Sequence, residues 1–331
     1  MPDIYTLAHQ HRAALLNGER EAASDLTRAW GAAHQRIERD LARLVAQVEA
    51  MRERGEEVGI ARLLRMERYR SLLAQIDEEM RSLAERGERS VKAARGEAAV
   101  RAIENASEQI GSIVADFNRL PVQAVQAIAA TVTSAASPVS DLFRSLSVEG
   151  VGKAQDALVA GLAAGHNPRR VAPMLRDALG VSLTRALTIS RTESLRAYRE
   201  GSIAAYQESG VVEKWRWLAS KSRRTCPVCL AMDGTLHDLS EPFASHVRCR
   251  CTATPWFPGL PPRQTGAEWL ATQDEDVQAQ VLGHEAARLY RRGELELSDF
   301  VGEKTHPRWG RTRYTRPLKE ITLTQSASTR T

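Results

Sequence analysis

At 331 residues the chain is long enough for about two domains. Its 43% hydrophobic content and mean hydropathy of -0.37 suit a soluble protein with ordinary cores, and an aromatic share of 5% leaves burial to Ala, Leu, Val and Ile, a helix-rich composition. With 46 basic and 41 acidic residues the net charge is +5, which excludes a histone-like polycation and confines any nucleic-acid contact to a local patch.

The opening MPDIYTLAHQHRAALL has no basic run followed by an apolar stretch, so no signal peptide is expected and the thiols are expected to mature in a reducing cytosol. No apolar run approaches the roughly 20 residues of a membrane span. Residues 1–120 read as helix, with no proline between Pro2 and Pro121. Apolar residues recur at helical spacing through Ile37, Leu41, Leu44, Val48 and Met51, and pause at 53-ERGEEVG-59. They resume at Ile60, Leu63 and Leu64 and run through Leu72, Leu73, Ile76, Met80 and Leu83. The pattern loosens near Gly87, then returns at Ile103, Ala106, Ile110, Ile113 and Phe117. Such a stripe on charged helices predicts a long helical hairpin or coiled-coil arm. Its charges solvate the outer faces, or serve a partner that includes a second copy of the chain.

Residues 121–150 are small and poorly charged, bracketed by Pro121 and Pro138, and read as a hinge or a buried helical connector. In 165-GHNPRRVAPMLRDAL-179, Asn167 is placed to cap a helix and Pro168 suits its first position. A further helix is expected over 183–209, ended by Gly210. The register then changes to alternation in 211-VVEKWRWLAS-220, with Trp215 and Trp217 on one side, which predicts a strand.

All four cysteines fall in 225-TCPVCLAMDGTLHDLSEPFASHVRCRC-251. The spacing Cys226-x2-Cys229, then His246-x2-Cys249-x-Cys251, is that of a tetrahedral zinc site. Cys226, Cys229, His246 and Cys249 are the expected ligands, with Cys251 as the alternative and His237 ranked below His246. Pro227 stiffens the first turn, Asp233 and Gly234 are expected only to make a tight turn between the half-sites, and the two tryptophans to shield one side of the metal. Two disulfides are the rival in an oxidising compartment, and 226-CPVC-229 also resembles a redox pair. A redox pair sits at a helix N-terminus in a βαβ layout, whereas this window reads as turns. Glu241 and Asp233 are the nearest carboxylates, and both are explained as turn residues. Four ligands saturate the metal, so the site reads as a structural clamp on a small β-unit, with no catalytic residue.

Beyond it, 255-PWFPGLPP-262 is expected to be extended, and 261–331 to be a helical tail carrying Trp269, Leu270, Val281, Leu282 and Leu289. The tail ends in a basic segment, 304-KTHPRWGRTRYTRPLK-319, and a frayed polar terminus. Lys304, Arg308, Arg311, Arg313, Arg316 and Lys319, interleaved with Trp309 and Tyr314, suit phosphate contacts with base stacking. A basic tail docking on an acidic protein surface has the same composition. The expected fold is mainly α with a small zinc-clamped β-unit, an α+β chain divided at 1–120, 121–150, 151–260 and 261–331.

In order along the chain, 191-RTE-193, 210-GVV-212, Trp215 and Trp217, 226-CPVC-229, 233-DG-234 and 246-HVRCRC-251 resemble the phage head morphogenesis family, the minor capsid proteins similar to the F protein of phage Mu. Val247 stands where the family commonly has proline, and 266–301 resembles the family's C-terminal segment, so the likeness spans about 150–301. The resemblance implies a minor capsid protein of the virion that acts in head assembly at the portal vertex, after a stage in the host cytoplasm. Its implied partners are the portal protein and a major capsid or scaffolding protein, with packaged double-stranded DNA in some members and no membrane. It implies no enzymatic activity. Arg191 and Glu193 carry over as the Arg-Thr-Glu motif, one of them expected to bond into the zinc unit. A zinc-containing nucleic-acid module and a redox or zinc-dependent enzyme are the alternatives.

Overall fold

The computed structural model describes residues 3–115, 117, 120–134, 138–164, 166 and 168–328. Its elements run α1 (Ile4–Glu53), α2 (Ile60–Arg65), α3 (Glu67–Gly111), α4 (Val122–Ser134), α5 (Val139–Ala163), α6 (Pro168–Ser209) and β1 (Lys214–Leu218). They continue with α7 (Pro227–Met232), β2 (Leu236–Asp238), β3 (Thr252–Trp256), α8 (Gly266–Ala271), α9 (Glu275–Leu282) and α10 (His284–Arg291). A 3-10 turn (Leu297–Phe300), β4 (Val301–His306), β5 (Gly310–Thr315) and α11 (Leu318–Ser328) complete the chain. The mainly helical class with a small sheet is as the sequence led one to expect. Among the described residues no helix is long and apolar enough to cross a membrane.

The residues group into two compact units that do not follow the linear division at 120, 150 and 260. One comprises Met1–Asn17, Arg95–Ala136 and Ser194–Thr331; the other comprises Gly18–Ala94 and Ser137–Glu193. Helices α1, α3 and α6 each contribute to both. The 1–120 stretch is therefore not a separate arm, because its two ends help to build the core around the cysteines.

In the second unit the apolar stripe is the core. Ile37, Leu41, Leu44 and Val48 of α1 are buried, as are Leu72, Ile76 and Met80 of α3 and Phe143 and Leu158 of α5. Ile60 and Leu64 of the expected stripe are exposed. The pause at 53–59 is a real break: Gly55 has φ +77°, a left-handed conformation that ends α1. The loosening at Gly87 is not a break, since α3 runs through it. A Cβ there would lie 2.3 Å from Phe143 Cε1, so the glycine admits the buried ring. Gly87→Ala is expected to destabilise this unit by about 1–3 kcal/mol through overpacking. Denaturant titration against wild type checks it, and an unchanged midpoint would remove this account of the glycine.

The two helices expected over 165–179 and 183–209 are one, α6, which passes through Pro173 and Gly180 without interruption. Leu175, Leu179, Ala186 and Ile189 are buried at helical spacing across the expected break. Burying them outweighs the roughly 1 kcal/mol that an interior glycine costs. Asn167, the expected cap, lies outside the described residues, while Gly210 ends the helix as expected, with φ +66°. The connector is helical on both sides of residues 135–137, with α4 in the first unit and α5, which continues past 150, in the second.

The first unit carries a three-stranded antiparallel sheet in the order β2-β1-β3, with Trp215 opposite His237 on one side and Pro255 on the other. Trp215 and Trp217 are packed with Ile4, Ile103, Ile110, Tyr206 and Phe257. Of the short helices α8 to α10, the first two start on side-chain caps: Thr265 and Glu268 form a capping box, and Asp274 accepts from the Val277 amide. They enclose a satellite core of Leu230, Leu270, Leu295, Phe300 and Ile321. The tail is helical at α8 to α10 and α11 as expected, but within its basic segment β4 and β5 form a hairpin, with Glu303 opposite Arg313 and the turn closed by Gly310 at φ +67°. The missing acid within 304–319 is supplied from the flanks, by Glu303 and Glu320.

Candidate metal centre

The site is assembled by three local structures in the first unit. After β1 the chain turns into α7, with Cys226 as its N-cap, Pro227 at its first position and Cys229 one turn on. His246 and Cys249 lie on a turn in which the Cys249 amide donates to the His246 carbonyl at 3.2 Å and Arg248 is left-handed at φ +64°. Cys251 immediately precedes β3. The window is thus not all turn, and 226-CPVC-229 does begin a helix. The βαβ layout of a redox pair is nevertheless missing, because β1 pairs antiparallel with both neighbours.

The donor atoms converge. His246 Nε2 is 3.2 Å from Cys226 Sγ and 3.1 Å from Cys229 Sγ, and Cys229 Sγ is 3.6 Å from Cys249 Sγ. All four cysteines are free thiols. Cys226, Cys229 and His246 form one group of potential ligands, and Cys229, Cys249 and Cys251 another. Tetrahedral zinc, with Zn–S of about 2.3 Å and Zn–N of about 2.0 Å, holds its donor atoms roughly 3.5–3.8 Å apart; the donors of each group of three lie within 4.8 Å of one another, near enough for a metal to draw them together. The His246 Nδ1–H donates to the Val247 carbonyl at 2.7 Å, which directs Nε2 at the sulfurs. His237, by contrast, is buried beneath Trp215 and bonded to Thr235 (2.8 Å) and Glu241 (3.2 Å), away from the thiols' groups.

The sulfurs and the imidazole shift one another's ionisation. The thiol of Cys229 donates to Cys226, holding the Cys226 pKa down at about 5 against the effect of burial. Burial opposes ionisation of Cys249, but donors from Cys229 and Cys251 and the charge of Arg199 hold it well below the usual thiol value. Cys229, which donates to Cys226, and the deeply buried Cys251 are pushed well above it. Burial disfavours protonated His246, yet the sulfurs of Cys226 and Cys249 raise its pKa to about 11. Cys249 couples to His246 as well as to Cys229, whereas Cys251 lies beside the indole of Trp217.

Arg199, on α6, is the positioning residue that the sequence did not disclose. Its Nη2 donates to the Cys249 carbonyl (2.6 Å), its Nε to the Cys251 carbonyl (2.8 Å) and its Nη1 to Ser245 Oγ (2.8 Å). One planar guanidinium therefore sets both ends of the Cys-Arg-Cys turn. Of the Arg-Thr-Glu motif, Arg191 pairs at 2.7 Å with Glu19 of α1 in the second unit, and Glu193 is buried in that unit.

Trp215 and Trp217 sit in an aromatic layer with Phe243, whose ring centroid is 3.9 Å from that of Trp217 and 5.0 Å from that of Trp215. Arg199 lies 4.9 Å over Phe243 and Arg313 5.5 Å over Trp217. Asp233 does more than make a turn: fully buried, it accepts the Ala219 amide at 2.7 Å and pairs with Arg263 at 3.0 Å. Gly234, at φ +95°, donates its amide to the Trp217 carbonyl and leads into β2 rather than between two half-sites.

The basic segment is largely engaged within its own fold. Arg313 is buried against Trp217 and pairs with Glu303, as does Arg311. Arg316 and Tyr314 both bond Glu320, and Lys304 lies 5.1 Å over the Tyr314 ring. The Trp309 ring packs on His306, and Lys304, Arg308 and Lys319 remain at the surface.

Compared with known proteins, residues 152–254 match the family described as Phage Mu protein F like protein, about a third of the chain, with the whole cysteine cluster inside the match. Searches among curated proteins and among solved structures give no match.

Proposed function

From the Phage Mu F-like character of residues 152–254, we propose that the chain is a structural minor capsid protein of a tailed phage or prophage, acting in head assembly at the portal vertex. The family match carries this reading, and the build of the cysteine cluster accords with it. Zinc would be held by Cys226, Cys229, His246 and Cys249, with Cys251 as the alternative fourth thiolate. A bound zinc would serve as a cross-link between α7, the 246–249 turn and β3. The chain's own groups would hold it closed: Val247 fixes the histidine tautomer, Arg199 the turn, and the Trp215, Trp217 and Phe243 layer keeps water off one side. Such a saturated site is a folding device rather than a catalytic centre. The partners in this reading are the portal protein and a major capsid or scaffolding protein. Packaged DNA is a weaker prospect, since Arg311, Arg313 and Arg316 are already paired with carboxylates of the same hairpin and α11.

Mass spectrometry of purified heads from the producing phage, combined with chemical cross-linking, tests the proposal. Peptides of this chain cross-linked to the portal protein are the expected result. Its presence in the lysate but absence from both mature and immature heads would refute the reading.

A further inference from the structure

We propose that Cys226 is a site of oxidation by hydroperoxides, with Cys229 as its resolving thiol, so that the metal clamp of the first unit is released under oxidising conditions. The inference rests on the reading above, in which Cys226, Cys229, His246 and Cys249 hold zinc. Access separates the four thiols. Cys229, Cys249 and Cys251 are 2%, 2% and 3% exposed, whereas Cys226 is half-buried. It stands at the N-cap of α7, at the end of a loop in which Arg223 and Arg224 are exposed. That loop is fixed, its Thr225 amide donating to the Ser222 carbonyl at 2.8 Å, so the sulfur is held in one place. A small oxidant therefore meets Cys226 first.

Geometry also selects the partner. The donor atoms of Cys226, Cys229 and His246 lie within 4.8 Å of one another, and Cys229 supplies the other sulfur of that group, while Cys249 and Cys251 fall in the second group. Two residues separate the pair along the start of α7, the Cys-x-x-Cys spacing of redox thiols. Bound metal requires both sulfurs as thiolates, the nucleophilic form. The Cys226 thiolate attacks one peroxide oxygen: an S–O bond forms, the O–O bond breaks and hydroxide leaves, or alkoxide from an organic peroxide. The Cys229 thiolate then attacks the sulfenic sulfur: the S–S bond forms and the S–O bond breaks with loss of hydroxide. The two sulfurs together lose two electrons, which reduce the peroxide, and water protonates both leaving groups. The disulfide removes two of four donors from a site whose metal takes four. The cross-link between α7 and the 246–249 turn is then open.

The test uses the full-length, zinc-loaded protein with hydrogen peroxide as the probe. A coloured chelator reads free zinc, dimedone traps sulfenic acid and peptide mass spectrometry maps the sulfurs. Early dimedone label on Cys226 is expected, then a Cys226–Cys229 disulfide, with about one zinc released per chain and a lower Tm. Dithiothreitol with added zinc should restore the original melt. Zinc and all four thiols unchanged when an equal concentration of glutathione in the same tube is fully oxidised would overturn the site. Label on Cys249 or Cys251, a disulfide joining another pair, or oxidation that leaves the zinc bound would overturn it as well. Those outcomes leave the metal reading standing, whereas wild-type protein purified without zinc removes that reading and this proposal with it.

Discussion

Replacing Cys229 with serine is expected to remove the metal and unfold the first unit, whereas Cys251→Ser should keep about one zinc per chain. Cys229 is the thiol shared by both groups of potential ligands, and its sulfur is the one within reach of His246 and Cys249 together. Structural zinc contributes about 10–16 kcal/mol in small modules, as much as the whole stability of an ordinary domain. Elemental mass spectrometry and thermal melts of the two variants read the outcome. Zinc lost from Cys251→Ser but kept in Cys249→Ser would exchange the fourth ligand. No metal in the wild-type protein would remove the clamp altogether. Acid should act in the same direction as the Cys229 variant. The fold holds the Cys226 thiol at about 5, below the free thiol, so its contribution is present in full above the unfolded value near 8.5 and is lost as pH falls through 5. A bound metal pushes that loss to lower pH still, because it needs the thiolate.

Arg199→Met is expected to cost roughly 2–5 kcal/mol, because it leaves the buried Cys249 and Cys251 carbonyls and the Ser245 hydroxyl without their donor. Zinc affinity should fall about 10–100-fold, as it does when groups that orient metal ligands are removed. Arg199→Lys keeps the charge but cannot span two carbonyls, so it should restore only a small part of either loss. Denaturant titration and competition against a coloured chelator measure the two quantities separately. A variant that loses stability with unchanged metal affinity would make Arg199 a packing residue and nothing more.

The cysteine–histidine cluster was legible in one dimension because its chemistry is local. Four thiols and a histidine at zinc spacing within 26 residues need only a turn of helix and a loop to meet. The strand with Trp215 and Trp217, the long helices and the glycine stops at Gly55 and Gly210 were legible for the same reason: each is set by its own periodicity or by a φ that glycine tolerates. The hairpin at 301–315 was not, since its counter-charges Glu303 and Glu320 stand just outside the basic run and its pairing is settled across the turn.

By itself, then, the sequence determined the helical class, the ligand set to test and the family resemblance over the cysteine unit. Only the tertiary structure decided that α6 runs unbroken through Gly180, that Gly87 makes room for Phe143, and that Arg199 rather than Arg191 ties the helix to the cysteine turn. It also decided that Arg263 packs over the ring of Tyr5, more than 250 positions away. These are long-range matters of packing and charge, in which residues far apart in the chain compete for the same small volume, and no local pattern records which of them wins.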